Sequence, residues 1–190
     1  MTRRVNPFVE NYNQIFCLVE ATLKRVYYIC INRKTMPNTY TQLYIHFVFA
    51  VKYRQAIIHE DWEGRLQKYI TGIVQNNGHK LIAINNVYDH LHLFVGLNPK
   101  QSISELMRLV KGDSAEFINK EKLTKRKFYW QEGYGAFTNS RSQIDGVVKY
   151  ILDQKEHHAK KSFRDEYVEI LKDYDVEYDK KYVFQDLIDE

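Results

Sequence analysis

Cysteine is nearly missing from these 190 residues. The two present, Cys17 and Cys30, lie in the first segment and form no Cys-x-x-Cys pair, so neither a disulfide framework nor a zinc ribbon organises the fold. No uninterrupted apolar run approaches a bilayer-spanning length. Glu10, Glu20, Lys24 and Arg25 interrupt what would have to be the apolar region of a secretory signal. The expectation is a protein of the reducing cytoplasm with no membrane partner. A Gly-rich phosphate loop is also lacking, which removes the usual ATP-dependent classes, and no repeat or low-complexity segment appears. The length suits one domain with a sizeable core, at most with an appendage.

Charge is unevenly spread. Residues 1–35 hold six Lys/Arg against two Asp/Glu (+4), residues 36–163 eighteen against twelve (+6), and residues 164–190 four against ten (−6). A basic body with an acidic tail favours a polyanionic partner, although a solvated surface accounts for an excess of this size equally well.

Hydrophobic periodicity gives the elements. Leu43, Ile45, Phe47, Phe49 and Val51 alternate along a strand, with Tyr44 and His46 on its other face; packing or hydrogen bonding is the simpler role for His46, lining of an active site the sharper one. Trp62, Leu66, Tyr69, Ile70, Ile73 and Val74 recur at three and four, predicting a helix over 60–76 that Gly78 terminates. Leu81 to Val87 reads as a strand paired with the one that follows. Ser102 with Glu105 opens a second helix through Ile118. Phe128 to Gln131 and Tyr134 to Thr138 read as a hairpin or a bulged strand around Glu132-Gly133. Ser140 with Gln143 caps a helix carrying Ile144, Val147, Val148, Ile151 and Leu152, and Phe163, Tyr167, Ile170 and Leu171 mark a last short helix before the aromatic, acidic tail. The order βαββαβ plus a helix is the split βαβ, ferredoxin-like plan of an α+β protein.

Two motifs carry chemistry. In the β-rich stretch Asp89 to Leu97, His90 and His92 are two apart and so share a face. Their separation along the strand is roughly 6–7 Å, close enough for both to lean onto one metal ion. A histidine on a strand is more often a packing residue, and the pair alone does not make a metal site. Further on, Tyr150 and Gln154 are four apart on a helical pattern and occupy one helical face.

A His-hydrophobic-His strand followed by Tyr-x-x-x-Gln on a helix resembles the single-tyrosine HUH transposases of the insertion sequence 200-like kind, which move single-stranded DNA. Met36 to Gln42, Lys52-Tyr53-Arg54, Asp89 before the first histidine, His157-His158, Ser162-Phe163 and Tyr182 to Phe184 share in the likeness, which runs from Met36 to the C-terminus. Residues 1–35 then read as a dispensable extension, 36–163 as the transposase domain and 164–190 as an acidic helix and tail. The resemblance implies a ferredoxin-like sheet with helices on one face and the tyrosine helix outside. It implies attack of Tyr150 on a phosphate of hairpin-bearing single-stranded DNA, giving a 5′-phosphotyrosine, and a homodimer in which the tyrosine helix of one subunit reaches the histidines of the other. Gly133, Gly135 and Gly146 near that helix offer it freedom, or serve turns and close packing.

On that reading His90, His92 and Gln154 supply three neutral ligands to Mg2+ or Mn2+. The set is weak for Mg2+, which prefers carboxylates, so the DNA would complete it. His157 and His158 are auxiliary candidates for proton transfer or phosphate contact, with dipole compensation at a helix C-terminus as the simpler role. Lys52, Arg54, Lys111, Lys125, Arg126 and Lys127 are the DNA-contact candidates. Three competing readings stand beside this one: a non-catalytic RRM-like single-strand binder, a zinc hydrolase built on His90, His92 and a histidine of 157–158, and a domesticated nickase of the same chemistry.

Overall fold

The computed structural model describes residues 40–55, 57–158, 162–179 and 183. The expected extension over 1–35, both cysteines, Met36 to Thr39, Tyr182 and Phe184 lie outside the described residues. The elements are β1 (Tyr44–Ala50), α1 (Glu60–Asn76), β2 (Lys80–Asn86), β3 (His90–Gly96), α2 (Ile103–Lys120), β4 (Gly135–Asn139), α3 (Ile144–Leu152), α4 (Gln154–His158) and α5 (Phe163–Asp173). All strand pairs are antiparallel, in the order β2-β3-β1-β4. This is the ferredoxin-like α+β arrangement that the βαββαβ order predicts. Among the described residues no helix is long and apolar enough to cross a membrane.

Strand alternation divides the sheet into two chemically different faces. Ile45, Phe47, Phe49 and Val51 of β1 join Leu91, Leu93 and Val95 of β3 in the main core, which Trp62, Leu66, Ile70 and Val74 of α1 and Leu106, Met107, Val110 and Ile118 of α2 complete. Helix α1 stops where Gly78 takes φ +77°. His79 N–H then donates to Val74 C=O and Gly78 N–H to Gln75 C=O, the paired bonds of a Schellman motif. Ser102 Oγ accepts from Glu105 N–H at the start of α2, while the Glu105 carboxylate turns to Arg108 instead of closing the capping box.

The opposite face carries His46, Val48 and Ala50 of β1, His90, His92 and Phe94 of β3, and Phe137 of β4, with Val48 opposite His92 and Ala50 opposite His90. Helices α3 and α5 cover it, opposite the α1 and α2 layer, as the expected outer position of the tyrosine helix has it. Small side chains there admit the covering layer: Val48 and Ala50 receive Phe163, Tyr167 and Leu171 of α5. A boundary at residue 164 would cut α5 just after its first residue, so this helix is part of the same packed body.

The 128–139 segment resolves into the bulged-strand alternative. Trp130 bridges to Val51, Gly135 pairs with Val48, and both stand on the same edge of β1; the residues between loop out, with Gly133 at φ +78°. Lys111 Nζ donates to the carbonyls of Gln131 (2.7 Å) and Gly133 (2.6 Å) and is held below its ordinary pKa by burial, against the opposing influence of Glu132. Lys111 therefore pins the bulge. Two of its three donors are engaged with backbone, so holding the bulge is the role its contacts show.

Candidate active site

His90 and His92 do share a face, and both are fully buried. Each has one ring nitrogen engaged. His90 Nδ1 lies 2.7 Å from Asp89 Oδ1, and His92 Nδ1 shares a 3.0 Å hydrogen bond with His46 Nε2. In each ring Nε2 is buried without a hydrogen-bond partner among the described residues. A ring whose Nδ1–H is held by a carboxylate or a neighbouring acceptor presents the Nε2 lone pair, which is how histidines are oriented for a metal. Burial lowers the pKa of His90, against the pull of Asp89, and pushes His92 well below the ordinary value, against Glu166. His46, also buried, falls to about 4. All three rings are neutral at pH 7, as ligands and their supports need to be.

The tyrosine helix ends sooner than the pattern suggests. Helix α3 stops at Leu152, Asp153 leaves helical geometry, and Gln154 begins α4. Asn85, on β2 opposite His92, donates through Nδ2 to the carbonyls of Ile151 (2.9 Å) and Leu152 (3.0 Å), capping the helix end against the sheet. The expectation of one continuous helix is corrected, yet Tyr150 and Gln154 still meet: Gln154 Nε2 lies 3.4 Å from Tyr150 C=O.

The residue that gathers the site went unseen in the sequence. Glu166, on α5, is buried. Its Oε1 accepts from Tyr150 Oη and from Gln154 Nε2 (2.9 Å) and lies 3.8 Å from His92 Nε2; its Oε2 stands 3.7 Å from His90 Nε2 and 2.7 Å from His158 Nε2. Burial alone would raise the Glu166 pKa, but His158, His92, Tyr150 and His90 together outweigh it and hold the carboxyl below the ordinary range. The same burial, with the Glu166 charge and hydrogen bond, pushes the Tyr150 phenol far above its usual value. The one available signal was position: Glu166 falls between Phe163 and Ile170 on the apolar stripe of α5, where a carboxylate needs partners.

His157 and His158, expected at an exposed helix end, turn inward instead. His158 is largely buried with its ring 4.5 Å from that of His90, and His157 lies 5.7 Å from the Tyr150 ring. Phe163 stacks on His90 at 3.9 Å. Tyr150 stands edge-on to His92 at 5.8 Å and to His46 at 6.1 Å. All of these contacts lie within one chain. Gly135 and Gly146 give no hinge: Gly135 lies tight against Phe137 and Tyr167, and Gly146 sits inside α3.

Ligand atoms of His90, His92, His158 and Glu166 lie within 4.8 Å of one another. The 3.7 and 3.8 Å gaps between the histidine nitrogens and the carboxylate are too long for hydrogen bonds. Two donors each about 2.1 Å from one ion stand apart by such a distance. The residues fit a divalent cation, and Glu166 adds the carboxylate that His90, His92 and Gln154 lack. Lys52, Lys125, Arg126 and Lys127 are elsewhere, past the end of β1 and after α2; the side chain of Arg54 lies outside the described residues.

One face of the ferredoxin-like sheet thus gathers metal-ligating side chains beside a tyrosine hydroxyl. Residues 39–154 match the family model described as "Transposase IS200 like", and the chain belongs to that family, whose members cut and transfer DNA strands. It is 28% identical over 118 residues to the ISDra2 transposase TnpA of Deinococcus radiodurans, covering 60% of this chain and 84% of the relative. It is 23% identical over 131 residues to the transposase for insertion sequence element IS200 of Salmonella typhimurium, covering 65% and 86%. Among solved structures, a transposase candidate from Deinococcus radiodurans R1 superposes with a TM-score of 0.53 at 24% identity, over 64% of this chain and 98% of that one. A REP-associated tyrosine transposase bound to a REP hairpin gives 0.50 at 15% identity, over 66% and 74%. Both structures share the fold.

Proposed function

We propose that this transposase acts on single-stranded, hairpin-bearing DNA, with Tyr150 as the nucleophile. The observation that carries the reading is the meeting of Tyr150 Oη, Gln154 and the two histidines around one buried carboxylate. Tyr150 Oη attacks the scissile phosphorus, the bond to the 3′ oxygen breaks, and the phenolic proton passes to Glu166 Oε1, to which it is already hydrogen-bonded. The leaving 3′ oxygen takes up a proton, and the 5′ phosphate stays on the tyrosine. Attack by a 3′ hydroxyl in the reverse sense rejoins the strand, so the phosphodiester energy is retained and no ATP is required.

Mg2+ or Mn2+, held by His90, His92, Glu166 and the amide oxygen of Gln154, would neutralise charge on the phosphate under attack. The buried Gln154 Oε1 has no hydrogen-bond partner among the described residues and is free for that role. His157 and His158 are placed to move protons at the edge of the site. The hairpin in the REP-associated neighbour supports a folded single strand as partner. Two such sites in a homodimer would serve the two ends of a mobile segment; a host enzyme of the same chemistry would nick one strand.

Incubation with single-stranded DNA from the gene's flanks and Mg2+ or Mn2+ tests the reading. A covalent adduct that survives denaturation supports it, and its absence with both ions overturns it. The cluster of His90, His92, His158 and Glu166 is also a set that zinc takes. Stoichiometric zinc surviving dialysis, with no adduct, would establish the hydrolase in place of the transesterase.

A further inference from the structure

The chain that leaves the end of β1 builds a second feature, which the chemistry at Tyr150 does not use. Val51 N–H donates to Asp89 C=O (2.7 Å) and Lys52 N–H to Tyr129 C=O (2.9 Å), which fixes Lys52-Tyr53 alongside Tyr129, immediately beyond the strand end where Ala50 pairs with His90. Tyr129 projects outward because its neighbours point in: Phe128 is fully buried, Trp130 nearly so, and Tyr129 is 48% exposed. Tyr53 is 39% exposed and sits at φ +58°, a left-handed conformation that non-glycine residues avoid and that tends to persist where function requires it. Lysine ammoniums lie over both rings: Lys52 at 5.3 Å from Tyr53 and 5.8 Å from Tyr129, Lys127 at 5.2 Å from Tyr129. Lys127 also lines a cavity of about 570 Å³, together with Lys125, Arg126, Ile57 and His59.

We infer that Tyr53 and Tyr129, with Lys52 and Lys127, form a stacking platform for unpaired bases of single-stranded DNA, and that the basic cavity beside them takes the adjoining nucleotide. Two exposed aromatic rings held rigid by backbone pairing lose little entropy on receiving a base. Each base arrives with its phosphate, and an ammonium resting over a ring gains by exchanging the ring's quadrupole for an anion. The cavity has the volume of a small-ligand site, and its wall is cationic where a nucleotide is anionic. The platform begins one residue beyond Val51, which is bonded to Asp89 beside the first histidine, so one strand can follow the sheet end from the reacting phosphate to the platform. Double-stranded DNA has no free base face to offer.

The inference rests on the reading of the protein as a single-strand enzyme and is separable from it. With a fluorescent oligothymidylate of about 20 nucleotides, Tyr129→Ala and Tyr53→Ala each weaken binding about tenfold, the loss expected for one stacked base. Tyr129→Phe binds like the unaltered protein, since only the ring is needed. Duplex affinity changes less than about twofold in all three. On the unaltered protein, photocrosslinking of 5-iodouracil DNA places label on a peptide containing Tyr53 or Tyr129. Alanine variants that bind single strands normally, an equal loss for single strands and duplex, or crosslinks confined to other peptides each overturn the platform. If those results accompany a normal covalent adduct, only the platform is wrong; if the unaltered protein binds no single-stranded DNA, the proposed function fails with it.

Discussion

Glu166 and the neutral histidines around it set how the protein responds to acid. Below about pH 6.5 the unfolded chain takes up a proton on His46 that the folded chain refuses until about pH 4. Stability therefore falls as pH drops through that window, by on the order of 3 kcal/mol from His46 alone. His90 and His92 act in the same direction. Glu166, whose pKa is depressed, contributes stability above its ordinary 4.5 that is lost as the pH falls below it, so acid is unfavourable throughout. Melting temperature measured from about pH 7 to pH 5 should decline, and His46→Asn, which keeps a hydrogen-bonding side chain toward His92 without the titration, should flatten the decline. A melting temperature independent of pH in that range would show that these rings are not held neutral by burial.

At the same scale, Glu166→Gln keeps an oxygen that accepts from Tyr150 and Gln154 while deleting the charge and the acceptor that faces His158. Mn2+ affinity by calorimetry or spin resonance should fall at least tenfold, in line with the loss of a ligand or its close support. Unchanged affinity would leave His90, His92 and Gln154 as the ligand set. Tyr150→Phe should abolish the covalent adduct while DNA affinity stays within about twofold, because only the attacking oxygen is removed; an adduct at the unaltered level would transfer the nucleophile's role to another tyrosine.

The covering layer of helices works at the scale of elements. Helix α5 approaches β4 so closely at Gly135 that a Cβ there would stand 2.7 Å from Phe137 Cε2 and 2.8 Å from Tyr167 Oη. Gly135→Ala should cost about 1–3 kcal/mol by forcing α5 outward, and because α5 carries Glu166, Mn2+ binding should weaken with it. Gly146, inside α3, has nothing within 4 Å of its would-be Cβ, so Gly146→Ala should stabilise by about 0.5–1 kcal/mol from helix propensity. Opposite shifts in melting temperature would bear out the two roles; a stabilising Gly135→Ala would contradict the tight packing of α5. Asn85 is the element-scale counterpart on the other side, holding the end of α3 to β2 so that Tyr150 faces the histidines.

For the whole molecule, the arrangement to be tested is a site completed within one chain, as the contacts of Tyr150 with Glu166 and His92 have it. Mixing Tyr150→Phe protein with His90→Ala protein should therefore leave cleavage absent even after demonstrated subunit exchange, since neither chain has both groups. Recovery of activity would mean that the tyrosine helix is exchanged between subunits when DNA is bound. A dimer remains useful under the single-chain arrangement, because two ends need two tyrosines.

What depends on neighbours along the chain was legible in the residues alone. Alternation in β1 and β3 set which face His90 and His92 occupy, the three-and-four spacing set α1 and α2, Gly78 and Ser102 marked helix ends, and Tyr150 with Gln154 stood out by spacing. All of these follow from local geometry, in which period and capping are fixed within a few residues. Packing across the fold set the rest: Lys111 serves a bulge, His158 turns inward, Asp153 breaks the tyrosine helix under the hold of Asn85, and above all Glu166 stands between tyrosine and histidines. None of these has a local cause. A carboxylate on the stripe of α5 finds its partners only when Phe163 and Tyr167 seat against the small residues Val48, Ala50 and Gly135, and such packing complementarity joins residues that no periodicity along the chain connects.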